Sequence, residues 1–82
     1  MEKFATQLEG RNSVFEALRS GRRIFKLFFL KNPQKDRRLE EIIKLAQKRK
    51  INITNVERKF LNKISKTPIH QGVVAKVEPL PG

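Results

Sequence analysis

Residues Ile24-Phe25-Lys26-Leu27-Phe28-Phe29-Leu30 form a run in which six of seven positions are apolar and three are phenylalanine. Such a run reads as a central strand, and consecutive phenylalanines in a strand are far more often core than a surface for stacking bases. A second run, Gly72-Val73-Val74-Ala75-Lys76-Val77, is β-branched and apolar apart from one lysine, the pattern of a strand covered on both faces. These two strands need cover from the rest of an 82-residue chain. A chain of this size is one domain and buries only about 60–65% of its unfolded surface.

The remaining segments alternate with these strands. Gln7-Leu8-Glu9-Gly10 reads as a short first strand. Val14, Phe15 and Leu18 then share one helical face. Asn12 or Ser13 is the expected N-cap, Glu16 completes a capping box with Ser13, and Gly21 is the expected C′ residue. After the loop Lys31-Asn32-Pro33-Gln34-Lys35, Asp36 is placed to cap a helix whose Leu39, Ile42, Ile43 and Ala46 repeat at i, i+3, i+4, i+7. Glu40 and Lys44 add an i,i+4 pair, and Lys48-Arg49-Lys50 suits the negative end of the helix dipole. Ile51 to Val56 reads as a half-exposed strand. Glu57 to Lys66 reads as a third helix, with Phe60, Leu61 and Ile64 turned inward. The expected fold is therefore α/β, in the order β-α-β-α-β-α-β: a small mixed four-stranded sheet with helices packed on it, its strand order left open by periodicity.

Several function classes are excluded or disfavoured. There are no cysteines and one histidine, so neither disulfides nor a thiolate or histidine-cluster metal site is available. No Walker loop, GxGxxG or GxSxG motif is present, and no serine has a histidine or acid at a recognisable motif spacing. The expectation is a non-catalytic chain with no cofactor of its own. The first residues are not a signal peptide, and no stretch is long enough to span a membrane, which points to a soluble, cytoplasmic protein. The charge is the most informative quantity: 19 Lys and Arg against 8 Asp and Glu, a formal +11. An excess this one-sided favours a polyanionic partner, nucleic acid before an anionic membrane.

The cations fall into groups: Arg19, Arg22 and Arg23; Lys31, Lys35, Arg37 and Arg38; Lys44 with Lys48 to Lys50; and Arg58, Lys59, Lys63 and Lys66. Those on helix faces, such as Lys44, Lys59 and Lys63, read as solvated surface. Those in loops are better phosphate contacts, because a loop follows a backbone and arginine grips phosphate bidentately. The first helix offers amides at Arg11 to Ser13 as a further anion site. Aromatics interleaved with the cations are not evident, so a folded RNA shape, rather than a stacked single strand, is the expected ligand. The loop Thr67 to Gln71 enters the last strand, where Gly72 marks a sharp turn or close approach. From spacing alone His70-Gln71 reads as a loop that satisfies its own hydrogen bonds.

Two motifs carry a family resemblance. Glu9-Gly10-Arg11-Asn12-Ser13-Val14-Phe15-Glu16-Ala17-Leu18, and His70-Gln71-Gly72-Val73-Val74-Ala75 about sixty residues later, resemble the amino-terminal substrate-binding domain of SpoU (TrmH-type) RNA 2′-O-ribose methyltransferases, in particular members acting on guanosine of 23S ribosomal RNA. The resemblance implies a fold similar to ribosomal proteins that bind kink-turn RNA. In those proteins a Gly-x-Asn segment opening the first helix touches RNA, as Gly10-Arg11-Asn12 is placed to do, and the loop before the last strand closes over it. It further implies S-adenosylmethionine and the chemistry in a separate knotted domain. Residues 1–78 would be the recognition domain and 79–82 the start of a linker to that tethered methyltransferase domain. Glu16 departs from the kink-turn proteins, which carry a lysine there, and argues against kink-turn specificity.

The residues expected to contact RNA are Arg11, Asn12, Arg22, Arg23, Lys35, Arg37, Arg38, Lys66, His70 and Gln71. The cations would hold phosphates; His70 and Gln71 would read base edges or 2′-hydroxyls. The isolated domain is expected to be monomeric. The competing readings are a protein-interaction module and a free-standing kink-turn protein.

Overall fold

The computed structural model describes residues 6–32, 35–66 and 70–79. Seven elements follow in the expected order: β1 (Thr6–Glu9), α1 (Arg11–Arg19), β2 (Ile24–Leu30), α2 (Arg37–Lys48), β3 (Ile53–Val56), α3 (Arg58–Ile64) and β4 (Val73–Val77). The strands form one sheet in the order β1-β4-β2-β3, so the two most apolar strands are the central pair. β4 is antiparallel to both β1 and β2, and β3 is parallel to β2, which makes the sheet mixed. Pro33, Gln34, the Thr67-Pro68-Ile69 part of the loop before β4, and the Leu80-Pro81-Gly82 part of the expected linker lie outside the described residues.

The period of two in β2 and β4 divides the side chains between two faces. Leu27, Phe29, Val73, Ala75 and Val77 meet Val14, Ala17 and Leu18 of α1 and Leu39, Ile42 and Ala46 of α2 in the larger core. Leu30 and Val74 meet Leu61 on the other face, with Phe28, Val56 and Ile64 at the margin. Each fully buried Val, Leu, Ile or Phe contributes about 1.5–3 kcal/mol by leaving water.

The helix ends show which local rules hold. Asp36 caps α2 as expected, its side chain accepting from the Leu39 amide at 3.0 Å. Gly21 takes the left-handed conformation after α1, and the amides of Gly21 and Arg22 return to the carbonyls of Leu18 and Ala17, a Schellman motif. The amides of Lys50 and Ile51 close α2 the same way on Gln47 and Ala46, with Lys50 in the left-handed position. The Arg49 guanidinium then donates to the carbonyls of Leu18 and Arg22, tying the two helix ends together.

Three local expectations are corrected. The N-cap of α1 is Gly10, not Asn12 or Ser13, and no side chain of its own first turn caps it. The capping box fails because the helix already starts at Arg11, which puts Asn12 and Ser13 inside its first turn. Phe60 is 41% exposed rather than inward, because α3 spans only seven residues and Phe60 lies at its rim against Phe28. Phe25 is 47% exposed because it sits where the β2–β4 register shifts between Ile24 and Lys26.

Candidate nucleic-acid interface

One end of the sheet collects four connections: β1 to α1, β2 to α2, β3 to α3, and α3 to β4. The backbone itself joins them. The Gly10 amide donates to Val73, the Leu30 amide to Gly72 and the Lys31 amide to Val56. A side chain then crosses between two of the loops. The Gln71 Oε1 accepts from the Arg11 amide at 2.8 Å, so the first turn of α1 is capped by a residue sixty positions away. That contact explains Gly10. Its φ is +95°, a conformation that favours glycine, and a Cβ there would lie 3.0 Å from the Gln71 Oε1, so the Gln71 side chain would have to shift from its hydrogen bond to make room. The amides of Asn12 and Ser13 are the other first-turn donors at this helix end.

The neighbouring residues Gln71 and His70 face opposite ways. Gln71 is exposed in a left-handed conformation, whereas His70 is only 6% exposed. The Gly72 amide donates to His70 Nδ1 at 3.0 Å, which puts the ring proton on Nε2, 2.8 Å from Asn62 Oδ1. Both ring nitrogens are engaged within the protein, and the ring fastens the β4 turn to α3. Glu9 fixes the other side of this loop by accepting from the Lys66 amide at 2.6 Å.

The β2–α2 loop supplies the charge. Arg11 is half-buried and its guanidinium pairs with the Asp36 carboxylate, joining the starts of α1 and α2. The backbone hydrogen bond from Leu39, helped by the Arg11 guanidinium, holds the Asp36 carboxyl below the ordinary carboxylate value. The Arg38 guanidinium lies 4.0 Å from the centroid of Phe15, which fixes its plane on the surface between α1 and α2. Lys31, Lys35, Arg37, Lys66 and Asn12 are exposed around this set. The end is thus a basic rim around a rigid polar centre made of Gln71 and the α1 amides, suited to phosphates at the rim and a few polar contacts within.

The structure brings Arg11, Asn12, Lys35, Arg37, Arg38, Lys66, His70 and Gln71 to this end and leaves Arg22 and Arg23 at the other, a strand length of roughly 20 Å away at about 3.3 Å per residue. There Arg22 Nε donates to the Glu78 carbonyl at 3.1 Å, the Glu78 amide donates to the Arg23 carbonyl, and Arg23 lies over Phe25. The supporting residues Asn62 and Phe15 had no signal in the sequence beyond ordinary helix patterning. Lys31 was legible as a member of the same loop group.

Such a fold, with a preorganised basic end, defines a small α/β recognition domain for a polyanion. The chain belongs to the family of RNA 2′-O ribose methyltransferase substrate-binding domains, whose family model matches residues 7–82. It is 43% identical over 68 residues to a putative TrmH family tRNA/rRNA methyltransferase, YacO, of Bacillus subtilis, covering 83% of this chain and 26% of that protein. It is 42% identical over 59 residues to the 23S rRNA (guanosine-2′-O-)-methyltransferase RlmB of Acinetobacter baylyi, covering 72% of this chain and 23% of that protein. An uncharacterized tRNA/rRNA methyltransferase of Mycolicibacterium gilvum is 36% identical over 70 residues, covering 85% and 22%. The chain spans about a quarter of the length of these relatives. No helix among the described residues is long and apolar enough to cross a membrane.

Proposed function

We propose that this domain docks folded ribosomal RNA, in the first instance 23S, through the end built from Gly10, Arg11, Asn12, Lys31, Lys35, Arg37, Arg38, Lys66, His70 and Gln71, and presents one guanosine ribose to a tethered methyltransferase domain. Arg11, Lys35, Arg37, Arg38 and Lys66 hold phosphates. Asn12 and Gln71 reach base edges or 2′-hydroxyls, and His70 positions Gln71 from beneath. S-adenosylmethionine and the methyl transfer belong to the catalytic part of the protein, and the setting is rRNA processing in the cytoplasm. Arg22 and Arg23 stand beside Glu78, away from the docking end. The domain itself is monomeric.

The observation that carries this reading is the Gln71–Arg11 hydrogen bond, which locks the two family-like motifs into a single surface. The ribosomal specificity rests on the name of the Acinetobacter relative. The test is titration of the domain into fluorescent fragments of 23S ribosomal RNA and an unrelated hairpin at two salt concentrations. Preference for one fragment that survives the higher salt, and is lost in Arg11→Ala and Gln71→Ala, supports it. Equal and wholly salt-sensitive binding to every RNA overturns it, because phosphate contacts alone give no preference.

A further inference from the structure

The sheet face opposite α1 and α2 is only partly covered. α3, at about 1.5 Å per residue, reaches roughly 10 Å along strands about twice as long. It closes over Leu30 and Val74 at one end. Beyond it lie Lys26 and Phe28 of β2 and Lys76 of β4, all part-exposed, with the more exposed Phe60 at the rim of α3.

Two features of this surface point to a ligand. First, Lys26 and Lys76 are directly opposite each other on the two central strands. Like charges facing across a ladder are destabilising. Among the described residues neither has a carboxylate partner: Lys76 donates to Gln7 Oε1 at 2.5 Å, and the Lys26 ammonium lies 5.4 Å from the Phe28 centroid. Second, Phe28 and Phe60 form a tilted pair with centroids 5.6 Å apart and leave ring surface in water. Lys63, exposed and three residues after Phe60, projects beside it on the helix surface.

We propose that this surface is a second RNA site, which takes an unpaired nucleotide: its base stacks on Phe60 and Phe28, and Lys26, Lys63 and Lys76 hold the flanking phosphates. Every base offers a π-face, so the site is tolerant of sequence. The charge selects the occupant. A second copy would bring another strongly basic face against this one, which is repulsive, whereas an RNA strand neutralises the facing lysines. The site rests on the reading of the chain as an RNA-binding domain, and it adds a single-strand platform to the docking end on a different face.

The test compares an oligouridylate of about twelve nucleotides with an abasic ribose-phosphate strand of equal length, each titrated into the 82-residue chain. The oligouridylate is expected to bind about tenfold or more tighter than the abasic strand, and Phe60→Ala is expected to abolish that difference. Phe60 is exposed, so the variant should keep the native circular dichroism, and Phe60→Tyr should restore binding. Amide resonances of Lys26, Phe28 and Lys76 should shift with oligouridylate and not with a ribosomal hairpin. Equal binding of the two strands, or a base preference unchanged in Phe60→Ala, overturns the platform while leaving hairpin docking intact. Loss of hairpin preference with retained oligouridylate binding overturns the docking end and not the platform. Self-association that disappears in Phe60→Ala would assign the face to a second copy and overturn the proposal.

Discussion

His70 and Gln71 are adjacent in one turn and are separated by what surrounds them. The His70 ring is buried, with its Nδ1 taken by the Gly72 amide and its Nε2 facing Asn62. His70→Ala is expected to lower stability by about 1–3 kcal/mol in urea unfolding, since the substitution strips a buried amide of its acceptor. A variant as stable as the wild type would mean that the ring is free to serve RNA. Gln71→Ala removes an exposed acceptor from one helix amide, worth about 0.5–1.5 kcal/mol. Its larger effect is expected on RNA preference, because the two motifs lose their bridge. The sequence offered His70 and Gln71 as a pair with a shared role. The distinction between them depends on Asn62, eight residues earlier on α3, and no local pattern carries that contact.

The helix ends join the fold to its function. Asp36 caps α2 and pairs with Arg11 of α1, so one carboxylate fixes the relative position of the two helix starts that form the basic end. Its folded pKa lies below the ordinary 3.8, so its contribution is fully present above that value and is lost as the pH falls through the folded value. Asp36→Asn is therefore expected to lower the thermal midpoint at neutral pH, and the gap from wild type is expected to close below about pH 3.8, as measured by circular dichroism. A gap independent of pH would show that the charge is immaterial. At the other end of α2, Lys50 holds a left-handed φ of 56° that costs any residue with a Cβ. Lys50→Gly is expected to stabilise the chain by about 0.5–1 kcal/mol in urea unfolding. Element type and order were legible because β2, β4 and α2 have strong periodicity and α2 has a local cap. The start of α1 was not, since its cap comes from Gln71. The exposure of Phe25 and Phe60 was not legible either, because a register shift and the reach of a seven-residue helix are properties of the assembled sheet.

At the scale of the whole molecule, the surplus charge is divided between faces, and net charge alone could not locate them. The docking end holds Lys35 and Arg37, and Arg23 lies at the far end of the sheet. A hairpin short enough to seat on one end should therefore register only that end's cations. Each phosphate contact contributes about 0.7–0.9 to the slope of log affinity against log salt. Arg37→Ala and Lys35→Ala are each expected to reduce that slope by about one contact, whereas Arg23→Ala should leave it unchanged for the same hairpin. The comparison discriminates because all three substitutions remove the same unit of charge from an exposed site, so a long-range field effect would move them together. If Arg23→Ala lowers the slope as much as Arg37→Ala, the RNA follows the whole surface and the docking end has no privilege. If only the loop variants respond, binding is local, and Arg22 and Arg23 are left to act on whatever lies beside Glu78.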